Sequence, residues 1–157
     1  MITEIVADDN AALANIIRNS LLEFNAAKPG TVYFDETTDH LSDVFTVKGS
    51  AYFVLKINGE IAGGAGFYPT KDLPADTCEL VKMYLDKKFR RKGFGEMLLQ
   101  KCLEQAKKSG YKKMYLESMP ELVNALPMYE KNGFEYLPNA LGNSGHTGCD
   151  VWMIKDL

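Results

Sequence analysis

Asn58-Gly59 sits between two apolar runs, Ala51-Tyr-Phe-Val-Leu-Lys-Ile57 and the stretch from Glu60 to Tyr68. Both turn positions tolerate positive φ, which a two-residue hairpin requires, so the two runs read as antiparallel strands. The chain is thereby committed to a sheet, and every other element must pack against it. Gly63, Gly64 and Gly66 fall in the second strand and are followed by Pro69-Thr-Lys-Asp-Leu-Pro74. A dinucleotide-binding turn would open directly into a helix, so these glycines read instead as a bulge or a close backbone approach.

The other elements follow from period and punctuation. Residues 2–6 read as a short strand. Asp8 or Asp9 caps a helix over about 10–27, with Leu13, Ile16, Ile17 and Leu21 at helical spacing, ended by Pro29-Gly30. Residues 31–49 are ambiguous, with Thr38 a candidate cap for a short helix carrying Leu41, Val44 and Phe45. Thr77 to Leu85 is a strand, with Glu79, Val81, Met83 and Leu85 on one face and Cys78, Leu80, Lys82 and Tyr84 on the other. Phe94 to Ser109 is a helix closed by Gly110, and Lys113 to Glu117 is a strand. Ser118-Met-Pro-Glu121 matches a capping box opening a helix to Asn132, in which Pro127 is expected to kink the turn before Tyr129. Residues 134–137 and 149–154 are final strands, separated by a Gly/Asn/Ser-rich loop. The result is an α/β (α+β) domain on a mainly antiparallel sheet, and 157 residues fit a single domain, 1–157.

Net charge is −3, but it is segregated. Residues 1–81 hold 5 basic and 12 acidic side chains, residues 82–113 hold 11 and 3, and residues 114–157 hold 2 and 6. Nucleic-acid binding favours a basic domain, and this pI is near 5.4, so no nucleic-acid partner is expected. A small polyphosphate needs only a local patch. No apolar run approaches the ~18 residues of a membrane span, and the N-terminus turns acidic at once, so no membrane association and a cytoplasmic location are expected. Cys78, Cys102 and Cys149, with His40 and His146, match no zinc pattern; reduced thiols and no metal are expected.

The basic stretch ends in Arg90-Arg91-Lys92-Gly93-Phe94-Gly95 and runs straight into a helix. Unpaired N–H groups and a partial positive charge at a helix start attract anions, and glycines admit them to the backbone. No Gly-Lys-Ser/Thr and no third glycine follow, which sets aside a P-loop and a Rossmann turn. Arg90-x-x-Gly93-x-Gly95 after a strand resembles the acyl-CoA pyrophosphate motif of the GNAT superfamily of N-acyltransferases. The later Ala125-x-x-x-Tyr129-x-x-x-Gly133-Phe134 resembles that family's second signature. The resemblance covers essentially the whole chain and is clearest over residues 77–136.

The resemblance implies a GNAT-like fold: a mixed sheet of six to seven strands flanked by about four helices, with a central pair of parallel, splayed strands. It implies acetyl-CoA as cosubstrate, lying between the strands of residues 77–85 and 113–117. The backbone of Met83, Tyr84 and Leu85 would pair with the pantetheine arm. The loop of Arg90, Arg91, Lys92, Gly93, Phe94, Gly95 and Glu96 would take the pyrophosphate, and Tyr129 would sit near the sulfur. The family's Asn seven residues before that tyrosine is Leu122 here, with Asn124 nearby. Glu79 stands where the histone-acetylating branch carries its general base; a water chain is the alternative, and Glu117 a second candidate. By analogy the acceptor side draws on residues 33–43 and the late loop, which offer Tyr33, Asp35, Glu36, Asp39, His40 and His146. Lys82 reads as a solvated cation.

The chemistry agrees. Acyl transfer to an amine needs a neutral nucleophile, an oxyanion donor and a protonated leaving thiolate. A thiol titrates near 8.5 and a phenol near 10, so Tyr129 can donate. An unpaired strand amide near Met83 can serve the oxyanion. No cysteine nucleophile is required. The expected activity is acetyl transfer from acetyl-CoA to a primary amine of a small molecule or peptide, in a chain that, like many of the family, can form a homodimer. The rival is a non-catalytic acyl-CoA-binding or regulatory module of the same fold.

Overall fold

The computed structural model describes residues 1–119, 122 and 124–157. Its strands are β1 (Ile2–Glu4), β2 (Ala51–Ile57), β3 (Glu60–Tyr68), β4 (Thr77–Leu85), β5 (Lys113–Ser118), β6 (Glu135–Leu137) and β7 (Val151–Asp156). The helices are α1 (Asn10–Glu23), α2 (Leu41–Val44), α3 (Phe94–Lys108) and α4 (Leu126–Lys131). All seven strands join one sheet in the order β1-β2-β3-β4-β5-β7-β6. Neighbours are antiparallel except β4 and β5, which run parallel.

Strand β2 sorts the core. Its residues alternate between the two sheet faces, as a strand's period of two demands. Tyr52 and Val54 join Leu13, Ile17 and Leu21 of α1, while Phe53 and Leu55 join Leu98, Leu99 and Cys102 of α3. An apolar run on a strand covered on both faces is the pattern that produces this sandwich of helices. Leu98 is fully buried at the centre of the α3 side. Leu98→Ala is therefore expected to destabilise the fold by about 2–5 kcal/mol, read as a lower urea midpoint at unchanged slope.

Gly63 backs onto the Tyr84 carbonyl, and the other two β3 glycines lie against Tyr52. A Cβ on Gly64 would stand 2.5 Å from Tyr52 Cε1, and one on Gly66 would stand 2.7 Å from Tyr52 Cδ2. The glycines thus leave room for the Tyr52 ring to lie across β3, and its hydroxyl donates to the Lys82 carbonyl at 2.8 Å.

That carbonyl belongs to a bulge. Gly64 pairs with Tyr84 and Gly66 with Val81, so Lys82 and Met83 together oppose Ala65. The alternation expected along residues 77–85 breaks here. Cys78, Leu80, Met83 and Leu85 all pack on the α3 side, and Tyr84 packs on the α1 side. The extra residue turns the strand over, so Met83 and Leu85 do not share a face with Glu79.

Other boundaries shifted for local reasons. Helix α1 ends at Glu23 rather than near 27: Asn25 takes φ +57, and the Ala26 amide returns to Leu21 O at 2.7 Å. Thr38 does not cap a helix; its hydroxyl donates to Val32 O, and Asp35 caps the 3-10 turn by accepting from the Thr37 amide. Helix α4 spans only Leu126–Lys131, so Pro127 lies in its first turn, where no helical N–H is lost, and the expected interior kink does not arise. Pro120 and Glu121, which carry part of the expected capping box, and Val123, in the helix expected after it, lie outside the described residues. Among the described residues no helix is long and apolar enough to cross a membrane. Cys78, Cys102 and Cys149 are free thiols.

Candidate active site

Strands β4 and β5 pair only from Thr77↔Lys113 to Leu80↔Leu116. Beyond Leu80 the two strands part, and the edge of β4 facing β5 has no strand partner. A cavity of about 400 Å³ occupies the gap, lined from both sides of the sheet. The chemistry-bearing residues of the sequence converge on it: Glu79, Met83, Tyr84, Arg91, Tyr129 and His146 all face it.

At one end the loop 90–95 enters α3. Arg91 and Gly93 both have positive φ, +60 and +81. The first helical amide is Met97 N–H, on Gly93 O at 3.1 Å, so the amides of 94–96 have no helical acceptor. A Cβ on Gly95 would stand 3.4 Å from Met128 Sδ and 3.7 Å from Met83 Cε, filling the floor of the cradle. A Cβ on Gly93 would meet nothing within 4 Å, but its left-handed backbone resists any side chain. These features suit a diphosphate held on backbone amides. Gly93→Val is expected to leave the domain folded and to weaken CoA binding at least tenfold, about 1.4 kcal/mol, by calorimetric titration.

The other residues of the basic loop are committed elsewhere. Arg90 donates to Leu85 O at 2.9 Å, Glu23 at 2.9 Å and Ser20 Oγ at 3.0 Å, and stacks over Phe24. Its guanidinium clasps the loop to α1 instead of reaching outward. Lys92 donates to Lys88 O, Glu96 pairs with Lys131, and Phe94 packs edge-on against Phe89. Lys92, Phe94 and Glu96 do not line the cavity, whereas Arg90 does. Leu122 and Asn124 both do.

Tyr129 is 7% exposed and packs edge-on against Phe134. Among the described residues its hydroxyl contacts only a soft acceptor, Met83 Sδ at 3.9 Å. Burial raises its pKa, so the phenol stays protonated and has a proton to give.

At the opposite end lies Glu79, 3% exposed, with Thr70 Oγ1 donating to Oε1 at 2.7 Å. Burial pushes its pKa up to about 7, against the opposing effect of the Thr70 hydrogen bond. Glu117, Glu79 and His146 bring ligand atoms within 4.8 Å of one another. Three such groups suit an alkylammonium or a divalent cation. Glu117 accepts from Tyr115 OH at 2.7 Å and from Ser144 Oγ, which pins the late loop to β5.

Of the acceptor residues expected from sequence, only His146 reaches the cavity. Tyr33 turns its carbonyl to Arg18 and its ring to Phe34, and His40 is exposed at the start of α2. Asp35 arrives next to His146, whose Nε2 lies 3.2 Å from Oδ2. Lys82 overturns its expectation: the side chain is not solvated but 6% exposed, inside the cavity. A strand bulge turned it inward, and its only trace in the sequence is the glycine-rich partner strand. Cys149 also lines the cavity, and burial pushes its thiol up to about 12, far from the thiolate a nucleophile needs.

Two parallel strands thus splay around a cavity with an amide cradle at one mouth and a buried phenol and carboxyl inside. The sequence model of the acetyltransferase (GNAT) family matches residues 15–134. YjgM, an uncharacterized N-acetyltransferase of Escherichia coli (strain K12), is 39% identical over 150 residues, 95% of this chain and 90% of that protein. A GNAT acetyltransferase structure from Staphylococcus aureus Mu50 superposes with TM-score 0.85 at 20% identity, covering 99% of this chain and 98% of that one. PaiA N-acetyltransferase from Thermoplasma acidophilum, solved in complex with coenzyme A, gives 0.76 at 17% identity, covering 100% and 98%. The chain belongs to the GNAT acetyltransferase family and is an acetyl-CoA-dependent acyltransferase.

Proposed function

We propose that this enzyme moves the acetyl group of acetyl-CoA to a primary amine by direct attack in a ternary complex. The observation that carries the reading is that a buried carboxyl titrating at about 7 and a buried, protonated phenol share one cavity. Acetyl-CoA supplies the activated thioester. The amides opening α3 hold its diphosphate, and the unpaired edge of β4 beyond Leu80 offers backbone groups to its arm. An amide near Met83 serves the carbonyl oxygen as negative charge develops. Glu79, directly or through water, takes the proton that the substrate ammonium must lose before it can attack. The C–N bond forms, the C–S bond breaks, Tyr129 gives its proton to the leaving sulfur, and the second proton shed by the attacking nitrogen as it becomes an amide restores the phenol. No enzyme thiol takes part.

The test is free-thiol release from acetyl-CoA across a panel of primary amines and amino-terminal peptides, with the acetylated product identified by mass. Amine-dependent release is the expected result. Acetyl-CoA binding by calorimetry with no thiol release on any acceptor would make the chain a binding module instead.

A further inference from the structure

The acceptor end of the cavity contains a buried cation that acetyl transfer does not use. Lys82 stands at φ +49, within the β4 bulge, held there by the hydrogen bond from Tyr52 to its carbonyl. A non-glycine residue in this region is strained and persists only where its surroundings impose it. Here the outcome is to turn an ammonium into the cavity with its side chain 6% exposed.

An ammonium carries three donors. Among the described residues Lys82 uses one, on Asp35 Oδ2 at a long 3.4 Å. Asp35 has little more to give. Its Oδ1 accepts from the Thr37 amide at 2.9 Å and the Thr37 hydroxyl at 2.6 Å, and its Oδ2 also faces His146 Nε2 at 3.2 Å. A buried charge with open donors is costly unless a ligand completes it. Three residues back on the same strand, Glu79 meets Glu117 and His146 around a point suited to an ammonium. The two charged places face one cavity and are separated by no more than ~10 Å of strand.

We propose that the acceptor is a free amino acid, whose ammonium goes to the Glu79–Glu117 pair and whose carboxylate goes to Lys82. The proposal rests on the acetyl-transfer reading above and adds the acceptor's class to it. A simple alkylamine leaves Lys82 unanswered. A peptide amino terminus offers Lys82 an amide carbonyl, which accepts a hydrogen bond but does not match its charge.

The test compares the twenty free L-amino acids with their primary amides and decarboxylated amines, in the wild type and in Lys82→Met. Methionine has similar length and meets the same backbone conformation, so the substitution removes the ammonium and its hydrogen bond to Asp35 while keeping the side chain's bulk. Expected is a wild-type kcat/KM for at least one amino acid that exceeds its amide by about tenfold or more. Lys82→Met should erase that ratio, chiefly by raising KM for the acid. Calorimetry of the preferred amino acid on CoA-loaded protein should show the same loss of affinity. Equal rates on acids and amides, or a ratio that Lys82→Met leaves standing, overturn the carboxylate site while acetyl transfer survives. Silence toward this panel together with thiol release on other primary amines or peptides overturns the amino-acid acceptor and leaves acetyl transfer standing; silence on those acceptors too overturns both. If Lys82→Met does not fold, the wild-type acid-to-amide ratio decides alone.

Discussion

Tyr129→Phe is expected to lower kcat by about 10²-fold or more, the usual contribution of a positioned general acid, while the affinity for acetyl-CoA hardly changes. The ring would keep its edge-on packing against Phe134 at 5.8 Å. Only the hydroxyl is lost, and among the described residues its hydrogen bond goes to Met83 Sδ. The stability cost is accordingly small, under about 1 kcal/mol. A weak partner is what the role demands, since a phenol already bonded to a carboxylate would have no proton to spare. Stopped-flow thiol release and calorimetry on the same preparation separate the two effects. A wild-type rate in the variant would pass the acid role to Tyr84, a second phenol facing the cavity with its pKa raised by burial and by Cys149 and Tyr129. Tyr84→Phe is the matching control and should leave kcat within a few-fold.

The parts of the fold that were legible in the sequence are those set by local period. The hairpin at Asn58-Gly59, the amphipathic face of α3 and the glycine opening it are properties of neighbouring residues, and no distant contact overrode them. The pairing of Arg90-x-x-Gly93-x-Gly95 with Ala125-x-x-x-Tyr129 identified the family because each motif needs its own element in place. The site's acceptor end was less legible, for a physical reason. Strand periodicity assumes one residue per position on the partner, and β4 breaks that at Lys82 and Met83 opposite Ala65. Nothing in residues 77–85 announces the extra residue. Its cause lies on β3 and β2, where Gly64 and Gly66 admit the ring of Tyr52, which then holds the Lys82 carbonyl. One misplaced residue inverted the faces of Met83 and Leu85 and disguised Lys82 as a surface cation. The partners of the Arg90 side chain were hidden for another reason. Its charge was legible, but its use was not, because Glu23, Ser20 and Leu85 come to it from elements that only the fold brings near.

Glu79→Gln should lower kcat/KM by about 10²-fold or more above pH 7 and at the same time make the protein more stable there. The two results together distinguish a base from a structural carboxylate. Burial raises the Glu79 pKa from its ordinary 4.5 to about 7. Between those values the folded state holds a proton that the unfolded state has released. Stability therefore falls as pH rises through that window, and above pH 7 the native state carries the full cost of a buried carboxylate. Glutamine is neutral at every pH and retains an oxygen to accept from Thr70, so it escapes that cost. Its advantage in Tm should be greatest at pH 8 and should fade toward pH 4.5. Activity has the opposite sign. The base works only as a carboxylate, so wild-type kcat/KM should climb through about pH 7, and in Glu79→Gln that limb should vanish. A structural glutamate predicts lost stability with the pH profile intact. A water chain that bypasses Glu79 predicts the gain in stability with the rate unaffected. A buried carboxylate with work to do at the substrate nitrogen makes the variant both sturdier and slower, and a fall in kcat at saturating amine marks that work as proton transfer.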